Sequence, residues 1–269
     1  MQEISKEMPI GIFDSGVGGL TVMKEIMELL PDENMIYLGD TARVPYGTRS
    51  AETVIKYSLE NMKFLMSRGI KILVVACNTS SSVSLDLLRA NFPGTVVGVV
   101  EPGAKAAVAA SNKKDVAVIG TETTISTGAY EKAIKAIDSS INVSGIACPL
   151  FVPMIEEGWL AGEVVRLTAE TYLSPIKYNG AGSVVLGCTH YPMIKNIISD
   201  VVNLPLIDSA VETAKEVRDV LEREGMLRGS DTKASREFFV TDAPDKFVRA
   251  GERFLGHEIN NIQKINFGG

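Results

Sequence analysis

Cysteine is scarce in this chain. Three cysteines in 269 residues, far apart and without a Cys-x-x-Cys spacing, argue against a disulfide framework or a closed zinc site and leave free thiols. Basic charge is not in excess either: 27 Lys and Arg against 33 Asp and Glu give a net charge of −6, so no basic face for phosphate backbones is expected and nucleic acid is not an expected partner. No apolar run approaches membrane-spanning length, and Met1 to Pro9 lacks the apolar core of a signal peptide. No membrane partner is expected, and the cytoplasm is the expected location. Histidine occurs only twice, at His190 and His257. What is present is a 45% hydrophobic composition, enough for two sub-domain cores.

The two cysteines Cys77 and Cys188 sit in segments of one design. Val74-Val75-Ala76-Cys77-Asn78-Thr79 and Val185-Leu186-Gly187-Cys188-Thr189-His190 are each an apolar strand that delivers a thiol and then hydroxyl or amide groups. The repeat is wider than the cysteines. Ile10-Gly11-Ile12-Phe13-Asp14 is echoed by Val116 to Thr121, and Met35 to Asp40 by Val143 to Cys148. Cys188 lies 111 residues after Cys77, Thr121 lies 107 after Asp14, and Cys148 lies 108 after Asp40. A duplication at one nearly constant offset implies two homologous halves whose equivalent strand ends converge on a shared cleft.

Short β-branched strands alternate with amphipathic helices, the pattern of parallel sheets wrapped by crossover helices. Helices are expected over Leu20–Leu30, Ser50–Ser67, Ser80–Asn91, Gly128–Ala136, Gly162–Leu173, Pro192–Val201 and Ala210–Glu224. The fold class is therefore α/β, with two pseudo-symmetric parallel-sheet sub-domains and the active site in the cleft between them. The first comprises residues 1–98 with 208–269, the second residues 99–207. Phe238-Phe239-Val240 and the helix-like Asp245 to Leu255 have no repeat partner and are expected to pack back onto the first half. Loops after Phe13, Leu38, Ala76, Gly120, Ala147 and Gly187 should line the site, because ligands of open α/β sheets bind outside the carboxyl ends of strands.

Inverting a carbon acid's stereocentre is most direct when a base removes the proton from one face and an acid supplies another on the opposite face. Cysteine suits both roles, since its reference pKa of about 8.5 lets thiol and thiolate coexist near neutrality after modest tuning. A lone cysteine at a strand end is ordinarily a small buried apolar residue, and Cys148, followed by Pro149-Leu150-Phe151, reads that way. The duplicated setting of Cys77 and Cys188 argues otherwise. Asp14, ending its strand, and His190, two residues beyond Cys188, are candidate tuners of the thiols.

The glycine-rich Asp14-Ser15-Gly16-Val17-Gly18-Gly19-Leu20 lies between a strand and a helix, as a dinucleotide loop would. Thr21 stands where that fingerprint has a third glycine, although Asp40 is placed like a ribose-binding acid, and no Walker lysine follows. These glycines read instead as permitting close approach of a small anion to the amides at a helix N-terminus. A nucleotide-linked oxidoreductase and a non-catalytic dicarboxylate-binding protein thus stand beside the two-thiol reading, and the paired cysteines separate them.

Taken together, the motifs resemble those of the glutamate racemases, within the aspartate/glutamate racemase superfamily. The resemblance runs from Pro9 to Leu255, through Pro9-Ile10-Gly11-Ile12-Phe13-Asp14-Ser15-Gly16-Val17-Gly18-Gly19, Asp40-Thr41-Ala42-Arg43-Val44-Pro45-Tyr46-Gly47, Ala76-Cys77-Asn78-Thr79, Gly120-Thr121 and Leu186-Gly187-Cys188-Thr189-His190-Tyr191-Pro192. Val44 departs from it, standing where many relatives have cysteine. The resemblance implies a cofactor-independent, metal-free isomerase that interconverts L- and D-glutamate for peptidoglycan, with aspartate as the alternative substrate. It implies Cys77 as the base toward D-glutamate and Cys188 as the base toward L-glutamate, assisted by Asp14, Glu156 and His190. Asp14, Ser15, Tyr46, Gly47, Asn78, Thr79, Thr121, Thr124, Thr189 and His190 would hold the substrate. Oligomeric state is not fixed, which leaves a homodimer open.

Overall fold

The computed structural model describes residues 4–112, 115–178, 180–229 and 233–267. Its strands form two parallel sheets. In the first, β1 (Ile10–Asp14), β2 (Met35–Gly39), β3 (Ile72–Val75) and β4 (Thr95–Gly98) lie in the order β2-β1-β3-β4. In the second, β5 (Asp115–Gly120), β6 (Val143–Ala147), β7 (Ala181–Gly187) and β8 (Leu206–Asp208) lie in the order β6-β5-β7-β8. Each strand of the second order is the counterpart, four strands later, of one in the first. The sequence duplication is therefore a duplication of topology. β9 (Arg236–Val240) and β10 (Ile262–Lys264) extend the first sheet beyond β2, so the unrepeated tail does return to the first half.

Burial explains the strand sequences. β1 has strands on both sides and all five of its residues are buried, which is why it reads as a continuous apolar run. β6 pairs only with β5, is half-exposed, and accordingly mixes Ser144 and Gly145 with its apolar residues.

The helices follow the strands: α1 (Leu20–Leu29), α2 (Ala51–Ser67), α3 (Asn78–Asn91), α4 (Val100–Ala110), α5 (Glu122–Ser126), α6 (Ala129–Ile137), α7 (Phe151–Glu156), α8 (Glu163–Leu173), α9 (Lys195–Val202), α10 (Ser209–Arg223) and α11 (Pro244–Leu255). Several differences from expectation bear on the site, among them the short helices α5 and α7, which carry Thr124 and Glu156. Helix α3 starts at Asn78 instead of Ser80, because Cys77 itself is the N-cap and its carbonyl accepts the Ser81 N–H at 2.8 Å. The helix expected from Pro192 begins as a 3-10 turn over Tyr191–Ile194, and α9 starts only after Ile194, whose backbone (φ −117°, ψ 21°) lies outside the helical region. Helix α4 was masked in the sequence by Pro102-Gly103; the proline falls in the first turn, where its missing N–H has no helical acceptor to lose.

One buried apolar cluster joins the sheets, with Ile10, Ile12 and Val74 from the first, Ala117, Ile119 and Leu186 from the second, and side chains of α1, α10 and α11 between. Each fully buried Ile or Leu of this cluster stabilises the fold by roughly 1.5–3 kcal/mol relative to leaving it exposed. Helix α10 packs on both α1 and α4 and ties the tail to each half. No helix among the described residues is long and apolar enough to cross a membrane.

Candidate active site

The carboxyl ends of β1, β3, β5 and β7 face one cavity of about 380 Å³. Of the residues singled out in the sequence, Asp14, Ser15, Tyr46, Gly47, Cys77, Asn78, Thr79, Thr121, Glu156, Cys188, Thr189 and His190 line it. Thr124 does not, but its hydroxyl lies 3.0 Å from that of Thr121 and 3.4 Å from that of Thr79, which are themselves 3.0 Å apart. The loop after Ala147, expected at the site, supplies Pro149, and Val152 and Pro153 of α7, which sequence reasoning did not find, extend it into an apolar wall. Their segment follows Cys148 and looks like packing, and only the fold turns it toward the cleft.

Cys77 and Cys188 are both buried and both line the cavity, one from each sheet. Their surroundings differ in charge. Cys77 Sγ lies 3.9 Å from the Ser15 hydroxyl, and burial, reinforced by the neighbouring Asp14 carboxylate, pushes its pKa up. Asp14 is buried as well, which raises its own pKa against the opposing charge of His190 and the amides of Gly16, Gly19 and Ser15. Cys188 Sγ lies 3.8 Å from His190 Nδ1, while His190 Nε2 lies 3.1 Å from Glu156 Oε1. Burial alone would lower the imidazole's pKa, but hydrogen bonds and charge from Cys188 and Glu156 hold it at about 10. Burial raises the Glu156 pKa in turn, and His190 more than offsets it, so the carboxyl titrates below its ordinary value. The Phe254 ring of α11 meets the imidazole edge-on at 5.3 Å.

The glycine loop has a different task from the one expected of it. The anion its amides hold is Asp14 itself, whose Oδ2 accepts the Gly16 N–H at 2.8 Å. Close approach is needed because the two halves touch here: a Cβ on Gly18 would stand 2.4 Å from His190 Nδ1 and 2.5 Å from Thr189 Oγ1. Thr21 Oγ1 donates to the Thr189 carbonyl at 3.0 Å and closes the same seam. Asp40 is fully buried outside the cavity, where it accepts Arg43 Nε at 2.9 and 2.7 Å, Thr241 Oγ1 at 3.0 Å and the Tyr46 hydroxyl. It is not placed to hold a ribose. The Tyr46 hydroxyl, also bound by Asn61 Nδ2 at 3.1 Å, is committed to this network.

Asn78 has an unused donor. Its Oδ1 accepts the Tyr130 hydroxyl at 2.7 Å, while its Nδ2 is buried without a hydrogen-bond partner among the described residues. Such a group at a cavity wall is costly unless a ligand completes it. Cys148 is fully buried off the cavity, its pKa raised to about 12 by burial, and His257 is exposed elsewhere. Among the described residues, no three His, Cys, Asp or Glu side chains are grouped to hold a metal.

Residues 10–217 match the Asp/Glu/Hydantoin racemase family model. The chain is 51% identical to the glutamate racemase of Geobacter metallireducens, covering 96% of each chain, and 43% identical to that of Neisseria meningitidis over the full length of both. The crystal structure of the Francisella tularensis glutamate racemase in complex with D-glutamate superposes with a TM-score of 0.93 at 37% identity, over 97% of this chain and 98% of that one. With both sheets, the intervening cleft and nearly the whole length shared, the chain belongs to the Asp/Glu/hydantoin racemase family of isomerases, among its glutamate racemases.

Proposed function

We propose that this enzyme interconverts L- and D-glutamate in the cytoplasm, supplying D-glutamate for peptidoglycan, by a two-base mechanism that uses no cofactor. The observation that carries the reading is the convergence of Cys77 and Cys188, from equivalent ends of β3 and β7, on one cavity. Cys188 takes the α-proton of L-glutamate while Cys77 delivers one to the opposite face, and the roles exchange for D-glutamate. Asp14 serves Cys77. The Glu156–His190 pair serves Cys188, its imidazolium giving a thiolate a counter-charge 3.8 Å away. Ser15, Tyr46, Gly47, Asn78, Thr79, Thr121 and Thr189 hold the substrate's charged ends, with Tyr46 contributing through groups other than its hydroxyl and Thr124 acting through its contacts with the Thr79 and Thr121 hydroxyls. Fixed donors in this enclosed cleft stabilise the charge that develops at the α-carbon and its carboxylate. The working units are residues 1–98 with 208–269, and 99–207.

Chiral chromatography with mass detection in deuterium oxide tests this, with L-glutamate and L-aspartate as parallel substrates. L-glutamate should be turned over in preference, and early D-glutamate should carry deuterium at Cα while residual L-glutamate stays largely protiated. The donating thiol has exchanged with solvent, whereas the accepting thiol returns the original proton. Early D-glutamate rich in protium would point to one base reaching both faces.

A further inference from the structure

The hydrogen bond that leaves the Asn78 amide nitrogen free comes from the other half of the molecule. Asn78 opens α3 in the first half, and Tyr130 lies in the first turn of α6 in the second. Tyr130 does not line the cavity. Its ring is buried, and two glycines leave room for it: a Cβ on Gly103 of α4 would stand 3.2 Å from the ring, and one on Gly187 of β7 would stand 3.3 Å from it. The hydroxyl is thereby fixed in place. Burial pushes the phenol's pKa up, only partly offset by Ser209, so it remains a hydrogen-bond donor.

An asparagine amide has two faces with opposite chemistry, a carbonyl that accepts and an NH2 group that donates. Left to rotate, Asn78 could present either to the cavity. A carboxylate bound there accepts hydrogen bonds only, so one orientation binds it and the other repels it. Tyr130 donates to Oδ1, which turns Nδ2 away from the phenol and leaves it as the unpartnered buried donor. We propose that Tyr130 is a positioning residue that sets the orientation of the Asn78 amide, so that its NH2 group donates to a carboxylate of the substrate. The inference rests on the proposed dicarboxylate substrate. It also gives the seam between the halves a part in binding, because the bond forms only when α3 and α6 are brought together. Neither carboxylate inverts during racemisation, so the contact serves both enantiomers alike.

The test is a double-mutant cycle with kinetics in both directions for the wild type, Tyr130→Phe, Asn78→Ala and the double variant. Phenylalanine keeps the ring and removes only the hydroxyl. The KM for L- and D-glutamate should rise together by about five- to tenfold, as for loss of one organising hydrogen bond, with kcat changed by less than about twofold. In the Asn78→Ala background the same substitution should add nothing. An unchanged KM in Tyr130→Phe, or an equal loss in both backgrounds, overturns the inference. Should Tyr130→Phe fail to fold, the wild-type protein decides: its Asn78 side-chain amide resonances, assigned by comparison with Asn78→Ala, must shift when D-glutamate is added, and invariance overturns the inference. A wild type that turns over no glutamate overturns the proposed activity itself, and this inference with it.

Discussion

At the end of β3, Cys77 has a carboxylate for a neighbour; at the end of β7, Cys188 has an imidazole backed by a carboxylate. The backbones are alike, each cysteine following an interior parallel strand of four repeated strands that share one order. The electrostatics are opposite. Burial and Asp14 favour the neutral thiol at Cys77, while a cation held by Glu156 stands beside Cys188. Duplication therefore supplied the geometry of two opposed thiols, and divergence of the neighbours supplied different resting environments. The proposed mechanism uses the first feature to reach both faces of one carbon. The second means that the two directions start from unequal positions.

The largest effect should come from removing either thiol. Cys77→Ala and Cys188→Ala should each lower racemisation about 10²- to 10⁴-fold in both directions, as the proposed mechanism makes each thiol acid in one direction and base in the other. Cys148→Ala, at a strand end with no counterpart tuner, should leave turnover nearly intact. Initial rates by chiral chromatography check this, and near-normal turnover in either cavity variant would break the equivalence of the two ends.

Changing the neighbours should cost less and sharpen the contrast. Asp14→Asn and His190→Asn should each reduce turnover by less than loss of a thiol does, and unequally between the two directions. The equilibrium between enantiomers fixes the ratio of the two kcat/KM values near one. The asymmetry must therefore appear in kcat, with a compensating change in KM. Identical kcat losses in both directions for both variants would show that the neighbours act on binding or folding instead. Because burial disfavours the Asp14 carboxylate, Asp14→Asn should not lower Tm.

The smallest effect is on stability. His190 titrates at about 10 in the fold against 6.5 ordinarily. A raised cationic pKa stabilises the fold fully below about pH 6.5, and the contribution is lost as pH rises through about 10. The Tm advantage of the wild type over His190→Asn should accordingly shrink across that window. Calorimetry at pH 6, 8 and 10 measures it, and an advantage that grows with pH would remove the charged imidazole from the account.

Much of this was legible in the residues. The apolar runs at residues 10–13 and 184–186 announce buried parallel strands, and the matched cysteine segments announce the cleft. Glu156 carries no local signal, lying beside Glu157-Gly158 like any solvated helix acid, and only the family resemblance indicated it. Tyr130 had no signal at all. The glycine loop misled, because the amides of Ser15, Gly16 and Gly19 are directed at Asp14, within five residues of it, and Gly18 is small for the sake of His190, far along the chain.

The sequence by itself determined the repeat, the parallel strands and the thiols at their ends, because strand periodicity and burial are written in contiguous residues. Tertiary structure decided that Asp14 meets Cys77 and that Glu156 meets His190, whereas the pairing of His190 with Cys188 is local in the chain. It also decided that Val152 and Pro153 wall the cavity and that the Tyr130 hydroxyl of one half bonds the Asn78 amide of the other. Those outcomes depend on distances between residues far apart in the chain. Such distances are set by how the two sheets pack through their shared core.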